Sequence, residues 1–508
     1  MNWGIILKSL GHKEMRNRIL AVLGMLLIFR ILAHIPVPLA DPHTLKQVLN
    51  NLFTQTNSNQ LLGFLNVLSG GALANFSIML VGLGPYINAS IIMQLLTKAI
   101  PKLEAMNKEG EYGRKRINQY TRMLTFPLAI IQSVGTIYLI RQEASSIGGL
   151  GDITAHTSLA QWVLMIAALT GGSMVLMWLG ELITERYIGN GISLLITVGI
   201  VSRLPTLFTQ LWTSAYWTSS MAKGDKFYLF HRNFSRHGMI LFWIVCFSII
   251  FITWAVVKLN EASRKLTVNY AKRVQGNRTY GGVTTTLPVK LISAGVIPII
   301  FAVAFLSVPS FIGQLLTHGQ GATAIATSHW QSVGVQLSTL FQNPTAATFA
   351  AGGWHPWVYP ITYFALVFIF TYFYTSVTFN AKEIAENLQK QGGFIADVRS
   401  GKQTEKYLSK IVNRLTLFGA MALGFLAVLP ILAQVKLNQN IAIGGTSILI
   451  LVSVSLETLR QVESRALMIT YDQYEQPDYF YEPGPGATAA LGARRLRFIP
   501  RPSFRRKK

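Results

Sequence analysis

The chain has 508 residues, 51% of them hydrophobic and only 13% charged, against about 25% charged in soluble domains, so most of it does not meet water. Its net charge of +24 would suit a nucleic-acid partner, but membrane proteins gather Lys and Arg in cytoplasmic loops for topological reasons alone. The single cysteine, Cys246, excludes an internal disulfide and a cysteine-held metal cluster, and the nine histidines show no metal-ligand spacing.

Apolar stretches of about 20 residues, the length a bilayer-spanning helix needs, recur along the chain. The basic N-terminus runs into the first of them without a small-residue cleavage site, as a membrane helix rather than a removed signal peptide would. In chain order the spans fall near residues 19–38, 74–97, 120–140, 159–180, 187–205, 239–257, 291–315, 357–378, 413–433 and 442–460. Segment 61–73 is also apolar but too short to cross. With the N-terminus inside, cytoplasmic segments and their adjoining span ends hold 36 of the 45 Lys and Arg residues, and external segments hold 8. That asymmetry sets both termini in the cytoplasm. The external loop 203–238 is an exception with five basic residues, whereas 317–356 carries no charge at all. Arg30 lies deep in the first span, where an unpaired charge costs at least about 2.5 kcal/mol. It either faces a protein interior or aqueous cavity, or snorkels from a tilted helix.

The pattern predicts an all-α polytopic membrane protein with a cytoplasmic segment 1–18, a first half 19–206 and an external loop 207–238. A second half 239–465 follows, with cytoplasmic loops 258–290 and 379–412, and then a cytoplasmic tail 466–508. Each half has five spans, and the second span of each is interrupted, by Gly82-Leu83-Gly84-Pro85 and by Gly295-Val296-Ile297-Pro298. Paired interruptions at corresponding positions point to an inverted repeat with its pathway at the repeat interface. Acids within the spans are few, with Glu181 and Glu457 near cytoplasmic ends. The acid that ion-coupled transport usually needs is not evident, and an apolar pathway instead suits a gate that closes by dewetting. Gly401-Lys402-Gln403 lacks the features of a P-loop. Energy would therefore come from a partner or from the membrane potential.

Five blocks carry a resemblance. They are NVLSGGALANFSIMLVGLGPYINASIIMQLL from Asn66, MWLGELITERYIGNGISLL from Met177 and YAKRVQGNRTYGGVTTTLPVKLISAGVIP from Tyr270. FNAKEIAENLQKQGGFIADVRSGKQTEKYLSKIVNRLTL from Phe379 and IGGTSILI from Ile443 complete the set. In this order they resemble the SecY family of protein-conducting channels over most of residues 1–465. The resemblance implies ten transmembrane helices in two pseudo-symmetric inverted five-helix halves, around a central hourglass pore with a short plug helix and a lateral opening to lipid. It also implies translocation of unfolded secretory chains and sideways release of apolar segments.

By the same resemblance the pore ring comprises Leu83, Ile87, Ile188, Ile192, Ile300 and Ile450. Branched aliphatic side chains offer a moving peptide no hydrogen bonds and make ion dehydration costly. Spacing of four within each of the first two pairs places both members on one helical face, although from spacing alone these residues read as packing core. Leu62 to Ala74 forms the plug, including Leu65, Asn66, Ser69, Gly70 and Gly71, or is simply a re-entrant turn. The lateral gate lies where spans two and three meet seven and eight, with Asn88, Ser90, Gln94 and Gln132 as candidate polar glue. Such bonds between membrane helices are worth about 0.6–2 kcal/mol each. Ile292 stands where many relatives have asparagine, so the gate's polar network differs here.

Lys272, Arg273, Arg278 and Arg399 match basic positions that dock a motor or ribosome, while Asn277 and Ser400 depart from the family pattern. The tail is Pro/Gly-rich around Glu482-Pro483-Gly484-Pro485-Gly486 and ends in a basic cluster, a composition that predicts disorder. The resemblance implies SecE and SecG subunits, the SecA motor ATPase, the ribosome (RNA and protein at its exit tunnel), signal sequences and nascent chains, membrane lipids and a YidC-type insertase as partners. It implies no cofactor, no metal and no enzyme activity, in a bacterial plasma membrane. A secondary transporter with inverted repeats is the alternative, and a membrane-embedded enzyme comes third for want of a catalytic constellation.

Overall fold

A computed structural model describes residues 13–37, 77–146, 158–202, 204–214, 226–229, 232–270, 273–275, 278–280, 282, 284–292, 294–295, 297–316, 329–341, 344, 348–349, 352–437 and 442–471. The expected plug and most of the expected tail lie outside these residues.

Each of the ten apolar segments contains a helix. The first half holds α1 (Lys13–Leu32), α2 (Gly84–Ala99), a short α3 (Pro101–Lys108), α4 (Glu111–Ser146), α5 (Leu159–Glu185), α6 (Gly191–Val201) and α7 (Leu204–Ser214). A hairpin of β1 (Lys226–Leu229) and β2 (Arg232–Ser235) leads into α8 (Arg236–Glu261). Strands β3 (Ser263–Tyr270), β4 (Arg273–Gln275), β5 (Arg278–Tyr280) and β6 (Thr284–Lys290) follow, then α9 (Ile297–Leu316), α10 (His329–Leu340) and α11 (His355–Thr378). The chain continues through α12 (Ala381–Lys390), β7 (Gly393–Ile395), α13 (Lys402–Leu437) and α14 (Ala442–Tyr471).

Local sequence sets several of these boundaries. Ser158 caps α5 in a reciprocal box with Gln161, and Asn190 Oδ1 accepts the Ile192 and Ser193 N–H groups at the start of α6. These caps satisfy amides that a helix start otherwise leaves open. Helices α5, α8, α11 and α13 contain stretches long and apolar enough to cross a membrane, and α6 and α9 are shorter apolar helices. At 11 residues α6 spans only about 16 Å. The segment expected as an external loop, 207–238, holds the end of α7, the hairpin and the start of α8. The last helix runs through Tyr471, past the expected start of the tail at 466.

Both interrupted spans are broken where Gly and Pro predict. Gly82 (φ 65°) and Gly295 (φ 61°) adopt the left-handed region open to glycine, and α2 and α9 begin just beyond them with Pro85 and Pro298 in their first turns. The broken backbone before α2 is held by α5. Ser173 Oγ donates to the Gly82 carbonyl at 2.9 Å in a buried setting. A Cβ on the neighbouring Gly172 would overlap the Ile78 carbonyl oxygen, so helix and broken segment touch backbone to backbone. Irregular backbone in apolar surroundings persists where such partners satisfy it.

Packing repeats between the halves. In the first, α2 packs on α4, α4 on α5, α5 on α6, and α1 on both α5 and α6. In the second, α9 packs on α11, α11 on α13, α13 on α14, and α8 on both α13 and α14. The second-to-third, third-to-fourth and fourth-to-fifth contacts, and those of the first span, therefore correspond. The halves meet along two seams, α9 against α2 and α4 on one side and α14 against α6 on the other. One apolar cluster bridges them, drawing Leu83, Ile87 and Leu195 from the first half and Ile300, Val367 and Ile450 from the second.

The two loops expected on one side of the membrane, 258–290 and 379–412, form one structure. Strand β3 pairs with β6 on one edge and with β7 on the other, giving a three-stranded sheet of order β6-β3-β7. Leu266, Val268 and Val289 share a core with Leu388 of α12 and Leu408 of α13. The sequence treats these loops separately because antiparallel pairing across more than a hundred residues leaves no local signal.

Two adjacent glycines of α5 test the grip on the broken segment. Gly171 faces open space, whereas Gly172 abuts Ile78. Gly171→Ala should raise the thermal midpoint in detergent slightly, since Ala is favoured over Gly in a helix by about 1 kcal/mol. Gly172→Ala should lower it, and Ser173→Ala should cost about 1–3 kcal/mol through the orphaned Gly82 carbonyl.

Candidate functional site

A cavity of about 870 Å³ opens between α2, α4, α5, α6 and α9. Its apolar end is formed by Ile87, Ile192, Ile196 and Ile300, and its other end by Arg114, Lys115, Arg122, Glu181 and Glu185. Along α2 the lining passes from Ile87 through Ser90 to Gln94, a climb of about 10 Å from aliphatic to polar side chains. The result is a funnel with a polar mouth and an aliphatic floor.

All six expected ring residues belong to the bridging cluster or pack against it. Leu83, Ile87, Ile188, Ile300 and Ile450 are each less than a tenth exposed, and Ile192 is half-buried. Of the six, Ile87, Ile192 and Ile300 line the funnel, while Leu83, Ile188 and Ile450 do not. The helical-face pairing needs correction. Leu83 is the N-cap residue of α2, and Ile188 sits in the turn between α5 and α6. The residue that shares a face of α6 with Ile192 is Ile196, one turn onward. The spacing of four could have found it had it been counted forward from the Asn190 cap.

The candidate gate residues also lie differently from expectation. Gln94 Nε2 donates to Ser90 Oγ at 3.2 Å within α2, and the buried Gln94 Oε1 accepts no bond. Asn88 is half-buried on the same helix. The Gln132 carboxamide lies over Gly84, where a Cβ would stand 2.9 Å from Nε2. Among the described residues, none of these side chains bonds across to α9 or α11. Ile292 is buried beside Gly419 of α13, within its own half. The expected plug residues Leu65, Asn66, Ser69, Gly70 and Gly71 lie outside the described residues.

Among the basic candidates, Lys272 lies outside the described residues. Positions 273 and 278 fall on the β4–β5 hairpin, in which Gln275 pairs with Arg278 and Arg273 with Tyr280. Arg399 is exposed, and its carbonyl accepts Thr404 Oγ1 at 2.9 Å at the start of α13. Because β3 pairs with both β6 and β7, the hairpin and the Arg399 turn issue from one sheet.

Two further features were not read from the sequence. Arg122 on α4 pairs with Glu181 on α5, Nε donating to Oε1 at 2.9 Å while Nη2 lies 2.6 Å from Oε2 as an ion-pair contact. Long-range pairs of this kind carry no sequence spacing. Beside the funnel lies a second cavity of about 650 Å³, whose lining includes Lys290, Glu457, Arg460 and Arg465. Burial, with Arg460 nearby, pushes the Lys290 ammonium below its usual range, while Glu457 acts in the opposite direction. Tyr187 walls both cavities. Its φ of 58° is left-handed, which costs a non-glycine residue roughly 1–2 kcal/mol, and its ring lies 5.4 Å from the Arg465 guanidinium carbon. That contact joins the turn of the first half to the final helix of the second.

Comparison with known proteins agrees with this geometry. The SecY family model matches residues 77–459. The protein translocase subunit SecY of Streptomyces galbus is 38% identical over 468 residues, covering 91% of this chain and 97% of that protein. The same subunit of Mycobacterium bovis is 37% identical over 472 residues, covering 92% and 98%. Among solved structures, a protein-conducting channel aligns with TM-score 0.59 at 20% identity, over 90% of this chain and 93% of that one. Sec61 in the canine ribosome-channel complex aligns with TM-score 0.55 at 18% identity, over 90% and 93%. None of these supports a secondary transporter.

The Arg122–Glu181 pair is partly exposed, so its net worth is modest despite its geometry. A double-mutant cycle with Arg122→Ala and Glu181→Ala should give a coupling of about 0.5–1 kcal/mol in thermal unfolding. That coupling should shrink toward 1 M salt, where the screening length falls to about 3 Å.

Proposed function

This chain belongs to the SecY family, and we propose that its two helix bundles form the central channel of a Sec protein translocase. It is a multi-pass membrane protein that conducts unfolded secretory polypeptides and releases apolar segments sideways into lipid. The observation that carries this reading is the cavity whose lining runs from charged residues to Ile87, Ile192, Ile196 and Ile300 at the junction of the two halves. A charged or polar peptide enters from the wide end and meets a collar with no groups to bond it. At rest the same collar excludes ions, because no oxygen replaces their lost hydration shell.

In this reading Leu83, Ile188 and Ile450 back the collar from within the shared core. Residues 62–74 plug the far side, and the membrane is a bacterial plasma membrane with both termini cytoplasmic. The sheet formed by the two loops supports docking of the SecA motor or the ribosome through Lys272, Arg273, Arg278 and Arg399. Guanidinium groups suit phosphate and carboxylate partners. SecE and SecG complete the channel, and a YidC-type insertase receives membrane segments. The protein itself performs no chemistry and draws energy from its partners.

Reconstituted in proteoliposomes, the channel should import a secretory preprotein only with the motor ATPase and ATP. Import of a small solute without them would favour a transporter instead. Ile87→Gly, Ile192→Gly and Ile196→Gly should each raise resting conductance in planar bilayers. Unchanged conductance in all three would remove the collar assignment.

A further inference from the structure

The cavity of about 650 Å³ beside the funnel has a lining unlike the apolar waist. Ser453, Glu457, Arg460, Gln461, Ser464 and Arg465 of α14 all line it. They recur every three or four residues, which places them on one face of that helix. Lys290, the last residue of β6, joins them, with Asn260 of α8 and Thr378 of α11 on other walls. Among the described residues of this lining, Lys290, Arg460 and Arg465 are basic and Glu457 alone is acidic.

Several of these groups are held in place. Asn260 Nδ2 donates to Ser453 Oγ at 3.0 Å, and Arg460 Nη2 donates to the Asn260 carbonyl at 3.1 Å. The Arg465 guanidinium lies over the Tyr187 ring. Burial first and Arg460 second push the Lys290 ammonium below its usual range, so like charges already crowd one another here. Glu457 lies at the break before α9, where a Cβ on Gly295 would stand 3.5 Å from its Oε2. One carboxylate is thus set against three cations and the positive N-terminal end of a helix. A second anion would relieve the excess, and the aqueous interior can supply it. Tyr187, Ile297 and Tyr374 wall this cavity and the funnel alike, so the two spaces adjoin. Phosphate suits the lining better than a monatomic ion. Its oxygens accept from several donors at once, guanidinium groups bind such oxygens in pairs, and Gln461 and Ser464 add neutral donors.

We propose that this cavity binds a soluble phosphate oxyanion, held by Lys290, Arg460 and Arg465. Three cations less one carboxylate leave an excess of two positive charges in the lining, which the hydrogen phosphate dianion neutralises. Glu457 competes with the ligand for the same cations and sets how tightly it binds. The site uses none of the collar residues and stands whether or not the chain conducts polypeptides.

Thermal unfolding of the purified full chain in neutral detergent reads occupancy, with sodium phosphate replacing sodium chloride at fixed ionic strength and near-neutral pH. The midpoint should rise with phosphate, and keep rising logarithmically above the dissociation constant. Lys290→Gln and Arg460→Gln should each weaken the apparent affinity about tenfold, the loss expected of one charge-assisted hydrogen bond. Arg460→Lys keeps the charge and should retain most of the response. Glu457→Gln should tighten phosphate binding, an effect that a damaged fold would not produce. Lys382→Gln, at an exposed position of α12, should leave the response unchanged. Phosphatidylglycerol added to the micelle without phosphate should stabilise the unsubstituted protein and Lys290→Gln equally. Equal midpoints in phosphate and chloride would overturn the site. So would one phosphate response shared by the unsubstituted protein, Lys290→Gln and Arg460→Gln, or weaker binding in Glu457→Gln. If the lipid stabilises the unsubstituted protein more than Lys290→Gln, the site belongs to a headgroup and the soluble ligand is overturned.

Discussion

A channel for polypeptides requires two bodies that seal against each other without bonding, and the apolar contact between the two helix bundles meets that requirement. Hydrogen bonds or ion pairs across the waist would have to break for every passing chain, and each would then offer the chain a place to stick. Aliphatic contact has no direction and few barriers to rearrangement. In the proposed channel, the cluster joining Leu83 and Ile87 to Ile300 and Ile450 serves as the seal. The bonds between Gln94 and Ser90 and between Arg122 and Glu181 each stay inside one half. The halves are stiffened individually and left free to part.

The broken second span of each half serves the same end. Starting α2 at Gly84 and α9 at Ile297 puts a helix N-terminus and irregular backbone beside the waist rather than at a membrane surface. This leaves carbonyls without helical partners, a serious liability in apolar surroundings. The fold meets it locally, with Ser173 bonding the Gly82 carbonyl and Gly172 letting α5 approach to backbone distance. The price is a rigid requirement for small residues on α5, far in sequence from the break they stabilise.

Strand pairing also brings the two basic loops together. Loops separated by the whole of α9, α10 and α11 are joined through β3 and β7 and share a core with α12 and α13. A force applied to this sheet passes directly into α8, α9 and α13, which leave it. The left-handed Tyr187 and its contact with Arg465 tie the opposite seam at the same level. One seam thus carries a charged aromatic contact, and at the other the Phe311 ring packs on Gly135.

The sequence by itself determined that this chain crosses a membrane repeatedly, that it has two matched halves, and where each second span breaks. These follow from local quantities: apolar length, Lys and Arg counts, and the φ freedom of Gly82 and Gly295 beside Pro85 and Pro298. It also named the family, through ordered blocks whose identity survives without any knowledge of contacts. Only the tertiary structure decided which aliphatic residues face the funnel, replacing the pairing of Ile188 with Ile192 by that of Ile192 with Ile196. The same holds for the Arg122–Glu181 bridge, the shared sheet of the two loops and the seat of Phe311 on Gly135. Where the membrane-crossing stretches are apolar all round, periodicity no longer separates lipid-facing, packed and pore-facing positions. That choice is made by neighbours brought together from distant sequence.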